Sequence, residues 1–169
     1  MAVAGRNRLR SQISFENQDA GAYRFAVVYS RWNKELTTSL RDGALRAFRA
    51  AGAEDEHVEV FEVPGSFELP LAVQAVAETN RFDAIVALGV VIRGDTPHFD
   101  FIAGQAATGI MQASLMTGVP VSFGVVTTNT LDQAVERCGP GDDNKGFEAA
   151  RTAIEMAAFI DEIAVEELI

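Results

Sequence analysis

The chain has 169 residues, of which 48% are hydrophobic and 22% charged. This balance is typical of a globular protein, and the length allows one substantial hydrophobic core. With 24 acidic and 14 basic side chains the formal net charge is −10, and the sequence shows no basic patch, so we expect no nucleic-acid binding. The single cysteine excludes an intrachain disulfide, and neither histidine has neighbours at metal-ligand spacing, so no metal site is predicted.

The first residues, MAVAGRNRLRSQ, are basic but lack an apolar core, which argues against a secretory signal. A transit peptide is the alternative, because the first 15 residues contain no acidic side chain. No apolar run approaches the roughly 18 residues that a membrane helix needs, so we expect a cytoplasmic protein without a membrane partner. We interpret residues 1–22 as an arm that is flexible or pairs with a neighbouring subunit, and residues 23–169 as a single domain.

Apolar runs and helical patterns alternate along the rest of the chain. Strands are predicted over residues 25–29, 57–63, 84–92 and 119–126, and helices over 35–51, 66–79, 96–118, 130–139 and 144–163. The predicted helix N-caps are Ser66, Thr96, Thr130 and Asn144, and Thr130 forms a capping box with Gln133. Strands separated by helices predict right-handed βαβ units. The predicted fold is α/β, a three-layer α/β/α sandwich around a four-stranded, parallel, flavodoxin-like sheet.

Polar and aromatic residues follow each predicted strand. The loops after the four strands contain residues Ser30–Asn33, Pro64–Glu68, Arg93–His98 and Thr127–Thr130. In open parallel sheets, ligands bind beyond the carboxyl ends of the strands. The sequence therefore predicts a small-molecule site on one rim of the sheet.

The third of these loops has the features of an anion site. The backbone amides of residues 94–96, the Thr96 hydroxyl and the dipole of the following helix can hold a phosphate. His98 falls in the first helical turn, where the dipole disfavours the imidazolium, so we expect a neutral ring that can accept a proton. Asp95 opposes an anion unless its carboxylate points away. The alternative for His98 is an ordinary surface histidine.

Other candidate ligands are less specific. Trp32 and Phe67 can stack on a flat heterocycle, and the Glu68 carboxylate can bind a ring N–H. The alternatives are partial burial of Trp32 against the first helix, a core position for Phe67 and a solvated Glu68. Arg137 and Lys145 are either anion ligands or members of surface ion pairs. No glycine motif for a dinucleotide or a nucleoside triphosphate follows a strand, so no cofactor is predicted.

At these loops the sequence resembles the lumazine synthase family. The similar segments are FAVVYSRWN (25–33), VPGSFELP (63–70), GVVIRGDTPHFDFI (89–102), PVSFGVVTTNTLDQAVERCG (120–139) and NKG (144–146). The likeness runs from residue 25 to about residue 163 in the expected order. It implies a cofactor-free transferase of riboflavin biosynthesis. Its reaction is the condensation of 5-amino-6-(D-ribitylamino)uracil with 3,4-dihydroxy-2-butanone 4-phosphate to 6,7-dimethyl-8-ribityllumazine, with release of phosphate and water.

The resemblance also implies roles for particular residues. His98 matches the histidine that transfers protons, and Trp32 matches the ring that stacks on the pyrimidine. The other implied ligands of the pyrimidine and its ribityl chain are Ser66, Phe67, Glu68, Val90, Val91, Ile92 and Phe123. The implied phosphate ligands are Asp95, Thr96, Arg137 and Lys145.

Two of these positions, Phe123 and Arg137, match residues that a neighbouring subunit contributes. The resemblance therefore implies a homo-oligomer with shared sites, either a pentamer or an assembly of pentamers. Riboflavin synthase is a further expected partner.

Three other functions are compatible with the predicted fold. An archaeal-type riboflavin synthase is disfavoured because its dismutation involves no phosphate, whereas the phosphate-loop residues are present. A non-catalytic paralogue that binds flavin or lumazine, or forms a shell, would tolerate the loss of His98 and Arg137, and both are present. A flavodoxin-like electron carrier needs a Ser/Thr-rich phosphate loop after the first strand, which this chain lacks.

Overall fold

Strands and helices alternate along the chain in the computed structural model, which describes residue 16 and residues 18–166. The strands are β1 (Phe25–Ser30), β2 (Val58–Val63), β3 (Ala84–Ile92) and β4 (Val121–Thr128). The helices are α1 (Lys34–Ala50), α2 (Leu69–Ala77), α3 (His98–Thr117), α4 (Leu131–Arg137) and α5 (Lys145–Glu166). Every predicted strand and helix is confirmed, with only the ends displaced.

The four strands form one parallel sheet in the order β2–β1–β3–β4. All of β1 is buried, as are the residues of β3 from Ala84 to Val90. Continuous apolar runs of this kind are typical of central parallel strands with helices on both faces. The predicted four-stranded α/β sandwich is therefore confirmed.

Successive side chains of β1 point to opposite faces of the sheet. Phe25 and Val27 belong to a core that includes residues of α1 and α5, whereas Ala26 and Val28 belong to a core with residues of α2 and α3. On each face the two helices also pack against each other. Burial of this apolar surface stabilises the fold by about 25 cal/mol per Å². The helical layers leave the carboxyl ends of the strands as an open rim.

Local signals set several helix ends where the sequence predicts them. Gly52 after α1 and Gly118 after α3 have φ of 89° and 72°, a left-handed conformation that glycine adopts without steric cost. At the start of α4, the Thr130 side chain accepts from the amide of Gln133, whose own side chain accepts from the Thr130 amide. Both bonds of the predicted capping box are thus confirmed.

The predicted cap of α2 is wrong. The helix begins at Leu69, three residues after Ser66, and Pro70 occupies its first turn. Proline is favoured there because the first amides of a helix have no partner within it. Residues 64–68 form turns instead, in which the amide of Leu69 donates to the carbonyl oxygen of Ser66 at 3.4 Å.

Most of the predicted arm, residues 1–22, lies outside the described residues. Of the part that is described, Ala20 is fully buried, and its amide donates to the carbonyl oxygen of Ala51 at 2.8 Å. Within residues 18–166, no helix combines the length and the apolar character that a bilayer-spanning segment requires.

Candidate active site

The loops that follow β1, β2 and β3 enclose a cleft of about 540 Å³, here called the His98 cleft. It brings together the predicted residues Trp32, Ser66, Phe67, Glu68, Val90, Val91, Ile92, Thr96 and His98. The cleft is also lined by Gly94, whose amide was predicted to bind an anion, and by Asn33, Gly65, Phe99 and Ile102, to which the sequence analysis gave no role. Three of the four predicted loops therefore converge at this cleft, whereas residues 127–130, after β4, do not line it.

The turn between β1 and α1 holds Trp32 at the edge of the cleft. Asn33 has φ 59° and ψ 48°, a left-handed conformation that few residues other than glycine adopt. Its side chain does not cap α1, because Nδ2 donates to the carbonyl oxygen of Val90 at 2.9 Å. The Trp32 amide donates to the carbonyl oxygen of Pro64 at 3.2 Å, and the residue is 74% exposed. The indole is therefore held by its backbone and free to stack on a flat ring.

Ser66, at the floor of the cleft, packs closely against Gly89 of β3. A Cβ at this position would lie 2.5 Å from Ser66 Oγ and 3.3 Å from Ser30 Oγ. Ser66 is buried, whereas Phe67 is 54% exposed and Glu68 is exposed. The alternative of a core phenylalanine is therefore wrong. This segment places a hydroxyl at the floor, and an aromatic ring and a carboxylate at the wall.

His98 is the first residue of α3 and is exposed. The N-cap position is Pro97 and not the predicted Thr96, since the helical backbone begins one residue later. The Thr96 Oγ still accepts from the His98 amide, at 3.4 Å. Asp95 is exposed and does not line the cleft, whereas Gly94 and Thr96 do. The Asp95 carboxylate is therefore not part of the wall that an anion would meet.

Arg93 holds the loop that precedes His98. Its guanidinium donates to both carboxylate oxygens of Asp100, at 2.8 and 3.2 Å, and to Asn129 Oδ1 at 3.1 Å. It also lies 4.2 Å from the centre of the Phe99 ring. The hydrogen bond from Arg93 lowers the pKa of the Asp100 carboxyl. These contacts join the loop to α3 and to the loop after β4.

The remaining predicted ligands, Phe123, Arg137 and Lys145, line a second cleft of about 320 Å³ between β4 and α5. We call it the Arg137 cleft. Among the described residues, none lines both clefts. The structure therefore brings these three residues together with one another and does not bring them to His98 of the same chain.

The two cations of the Arg137 cleft are held by contacts within their own helices. Arg137 ends α4, and its Nη1 donates to the carbonyl oxygen of Gln133 at 2.9 Å. Lys145 begins α5, and its Nζ donates to the two carboxylate oxygens of Glu148 at 2.9 and 2.7 Å. Both cations thus face the same cleft from the ends of two consecutive helices.

Asn144 connects the start of α5 to the rest of the fold. Its Oδ1 accepts from the amides of Gly146 and Phe147 at 2.8 and 3.2 Å, which confirms the predicted cap. Its Nδ2 donates to the carbonyl oxygens of Ser39 in α1 and Gly139, at 3.2 and 2.7 Å. The residue is 1% exposed, so these bonds satisfy a buried amide completely.

Among the cleft residues to which the sequence analysis gave no role, Asn33 and Glu148 could have been recognised from the sequence. Asn33 follows Trp32 in the loop after β1, and asparagine tolerates the left-handed backbone of such a turn better than most residues. The signal for Glu148 was its spacing of three residues from Lys145, which favours an ion pair on a helix.

One group of side chains outside the clefts has ligand atoms at metal-binding distances. The ligand atoms of Glu54, Glu56 and His57 lie within 4.8 Å of one another. The sequence analysis predicted no such set. Most of the group lies in a single 3-10 turn, Asp55–His57, which precedes β2 at the end of the sheet opposite the His98 cleft. Exposed carboxylates are often this close without a metal, and we assign the group no role.

Comparison with known proteins identifies one family. Residues 22–161 match the family model described as 6,7-dimethyl-8-ribityllumazine synthase. A protein of that name from Syntrophus aciditrophicus (strain SB) is 47% identical over 144 residues, which cover 85% of this chain and 94% of that protein. Another from Chlorobium phaeovibrioides (strain DSM 265 / 1930) is 51% identical over 142 residues, 84% of this chain and 90% of that protein. The matched range includes every residue that lines the two clefts.

Proposed function

Because this chain belongs to the 6,7-dimethyl-8-ribityllumazine synthase family, we propose that its clefts join 5-amino-6-(D-ribitylamino)uracil to 3,4-dihydroxy-2-butanone 4-phosphate. It is a transferase of riboflavin biosynthesis, and its products are 6,7-dimethyl-8-ribityllumazine, phosphate and water. The observation that carries the proposal is the presence of Trp32, Glu68 and His98 in one cleft. A non-catalytic paralogue is not favoured, since both relatives carry the name of the enzyme.

The ribitylaminouracil occupies the His98 cleft in this proposal. Its flat ring stacks on Trp32, and its edge meets the backbone of Val90, Val91 and Ile92 at the end of β3. Ser66, Phe67 and Glu68 hold the ring and the ribityl chain. The exposed indole and the buried Ser66 hydroxyl support this assignment, because the same cleft then offers the ligand an aromatic face and a polar group.

His98 is the proposed group for proton transfer. Imine formation between the amine and the ketone, loss of phosphate and ring closure each require a proton to be moved. An imidazole exposed at the edge of the cleft can accept and return such a proton. The remaining rate enhancement comes from holding the two substrates in the correct orientation.

The butanone phosphate is bound between two copies of the chain in this proposal. Thr96 and the loop before His98 contact the phosphate from one copy, and Arg137, with Lys145 and Phe123, completes the site from a neighbour. The separation of the two clefts within one chain supports a shared site. Exposed apolar side chains on α3, namely Phe101, Met111, Leu115 and Met116, support burial against a neighbour.

The corresponding assembly is a homo-oligomer, a pentamer or a set of pentamers. The interaction with riboflavin synthase and the cytoplasmic location stay predictions.

The reaction itself provides the direct test. Purified protein is mixed with both substrates without added metal or cofactor, and the absorbance of the lumazine product is followed. Product formation above the spontaneous rate is the expected result. Spontaneous rates together with tight flavin or lumazine binding would favour the non-catalytic paralogue.

Sharing of the site is tested separately by co-expression of His98→Ala and Arg137→Ala chains. Each variant alone lacks one half of every site. Random mixing in a closed ring restores about a quarter of the sites, because an intact His98 cleft then meets an intact Arg137 cleft. Activity no higher than that of the separate variants would contradict a shared site.

A further inference from the structure

Each cation of the Arg137 cleft is accompanied by a carboxylate. The Lys145 ammonium bonds both oxygens of Glu148, and their side chains are 42 and 46% exposed. Arg137 Nη1 lies 3.8 Å from a Glu136 carboxylate oxygen, beyond hydrogen-bonding distance. Glu148 lines the cleft, and Glu136 does not. An anion that enters the cleft therefore meets Glu148 at the Lys145 ammonium.

The start of α5 offers little to an anion apart from these side chains. A helix N-terminus normally binds anions through its free amides. Here the amides of Gly146 and Phe147 already donate to Asn144 Oδ1. The affinity of the cleft for a phosphate thus depends on Arg137 and on how much of the Lys145 charge remains available.

We propose that Glu148 is an exchangeable counter-ion that sets the phosphate affinity of the Arg137 cleft. In the empty cleft Glu148 holds Lys145, and a bound phosphate group takes its place on the ammonium. When phosphate departs, Glu148 bonds Lys145 again, which favours release. The inference rests on the proposed function, in which the reaction liberates inorganic phosphate that must leave before the next turnover.

The carboxylate thereby weakens the binding of substrate phosphate and product phosphate alike. The ion pair with Glu148 also offsets the unfavourable interaction of the Lys145 charge with the dipole of α5, because Lys145 is the first residue of that helix. A site in which the Lys145 charge is uncompensated would bind the product phosphate more tightly. Glu148 acts here through Lys145 and is a positioning residue.

Glu148→Gln in the full-length assembled protein tests this role, with inorganic phosphate as the probe. Calorimetry gives its dissociation constant directly, without any turnover. For a half-exposed ion pair we expect a two- to five-fold tighter constant in the variant. The Michaelis constant for the butanone phosphate should fall by a similar factor, and that for the pyrimidine should not change.

Two further variants separate this role from others. Glu54→Gln removes the same charge at an exposed position before β2, and its phosphate affinity should equal that of the parent. Lys145→Met should abolish the effect of Glu148→Gln, since the two residues act as a pair.

Unchanged or weaker phosphate binding by Glu148→Gln would overturn the inference, because a purely structural support for Lys145 loses affinity when removed. That result, combined with normal synthase activity, would leave the proposed function intact. Tighter phosphate binding by Glu148→Gln in a protein without synthase activity would support the inference and contradict the proposed function.

Discussion

Asn33 Nδ2 donates to the carbonyl oxygen of Val90 at 2.9 Å, across 57 positions of sequence. The bond ties the beginning of α1 to the end of β3 and fixes the turn that carries Trp32. It is formed by a residue in a left-handed conformation, which costs roughly 1–2 kcal/mol for a side chain other than glycine. The hydrogen bond offsets this cost and couples the wall of the His98 cleft to its floor.

Two substitutions of Asn33 separate the bond from the backbone conformation. Asn33→Gly keeps the left-handed backbone accessible but removes the bond, and Asn33→Ala loses both. We expect the Michaelis constant for the pyrimidine to rise about five-fold in each, as for the loss of one hydrogen bond. Only Asn33→Ala should also lose about 1 kcal/mol of stability. Steady-state kinetics and thermal unfolding measure the two effects, and an unchanged constant for Asn33→Gly would show that the bond does not position Trp32.

His98→Ala should slow turnover about 10²- to 10⁴-fold, the usual contribution of a general acid–base group. The residue is exposed at the start of α3, so its loss should not alter assembly. Turnover under saturating substrates and sedimentation velocity are the measurements. His57→Ala, at the far end of the sheet, is the matched control and should turn over like the parent. Parental rates in His98→Ala would remove this histidine from the mechanism.

Arg137→Ala should raise the Michaelis constant for the butanone phosphate by about ten- to 100-fold, the range for hydrogen bonds to a charged group. Arg137→Lys should recover only part of the loss, because an ammonium keeps the charge without the two parallel donors. Kinetics with each substrate varied in turn gives both constants. An effect limited to the pyrimidine would contradict the role of Arg137 as a phosphate ligand.

Asn144→Ala should lower the free energy of unfolding by about 3 kcal/mol, because it removes four hydrogen bonds through which one buried side chain joins three segments, and it leaves the buried amides of Gly146 and Phe147 without their acceptor. Gly43→Ala should act in the same direction, since its Cβ would collide with Asn144 Oδ1. Urea unfolding at one fixed protein concentration measures both. The exposed Asn129→Ala serves as the comparison and should cost far less. A loss as small as that of Asn129→Ala would contradict the linking role of Asn144.

Burial raises the pKa of the Cys138 thiol to about 11, in keeping with a packing residue. The native thiol should therefore react slowly with thiol reagents at pH 8 and quickly once the chain is unfolded. An unfolded cysteine ionises near pH 8.5, as estimated from model peptides. The contribution of this group to stability is therefore complete below about pH 8.5 and is lost as the pH rises towards 11.

Unfolding measured against pH in the parent and in Cys138→Ala isolates that contribution. Plotted against pH, the free energies of unfolding of the two proteins should run parallel below pH 8.5 and diverge above it. Rapid labelling of the native protein at pH 8 would show that the thiol is accessible and the prediction wrong.

The order of strands and helices could be read from the sequence because apolar periodicity is a local property, and the bounds of β3 were predicted without error. The parallel arrangement of the strands was enough to predict that Trp32, Glu68 and His98 lie at the same edge of the sheet. Ser66 was wrongly predicted as the N-cap of α2, because the helix begins only at Leu69, with Pro70 in its first turn, and because Ser66 packs beside Gly89 on a different strand.

Contacts between distant parts of the chain were beyond sequence reasoning. The bond from Asn144 to Ser39 spans 105 positions, and that from Arg93 to Asn129 spans 36. Neither residue type specifies such a partner. The distribution of Arg137 and His98 over two clefts followed from the family resemblance and not from any pattern in the sequence. The roles of the individual site residues stay predictions until the variants above are measured.

The close packing at Gly89 determines how the His98 cleft could be redesigned. A larger residue at position 89 would displace the Ser66 hydroxyl, so this position cannot be changed without changing Ser66 as well. The rings of Trp32 and Phe67 have solvent beside them and can change size without disturbing the core. An engineer who wants the cleft to accept a bulkier heterocycle should therefore vary the two walls and leave the base untouched.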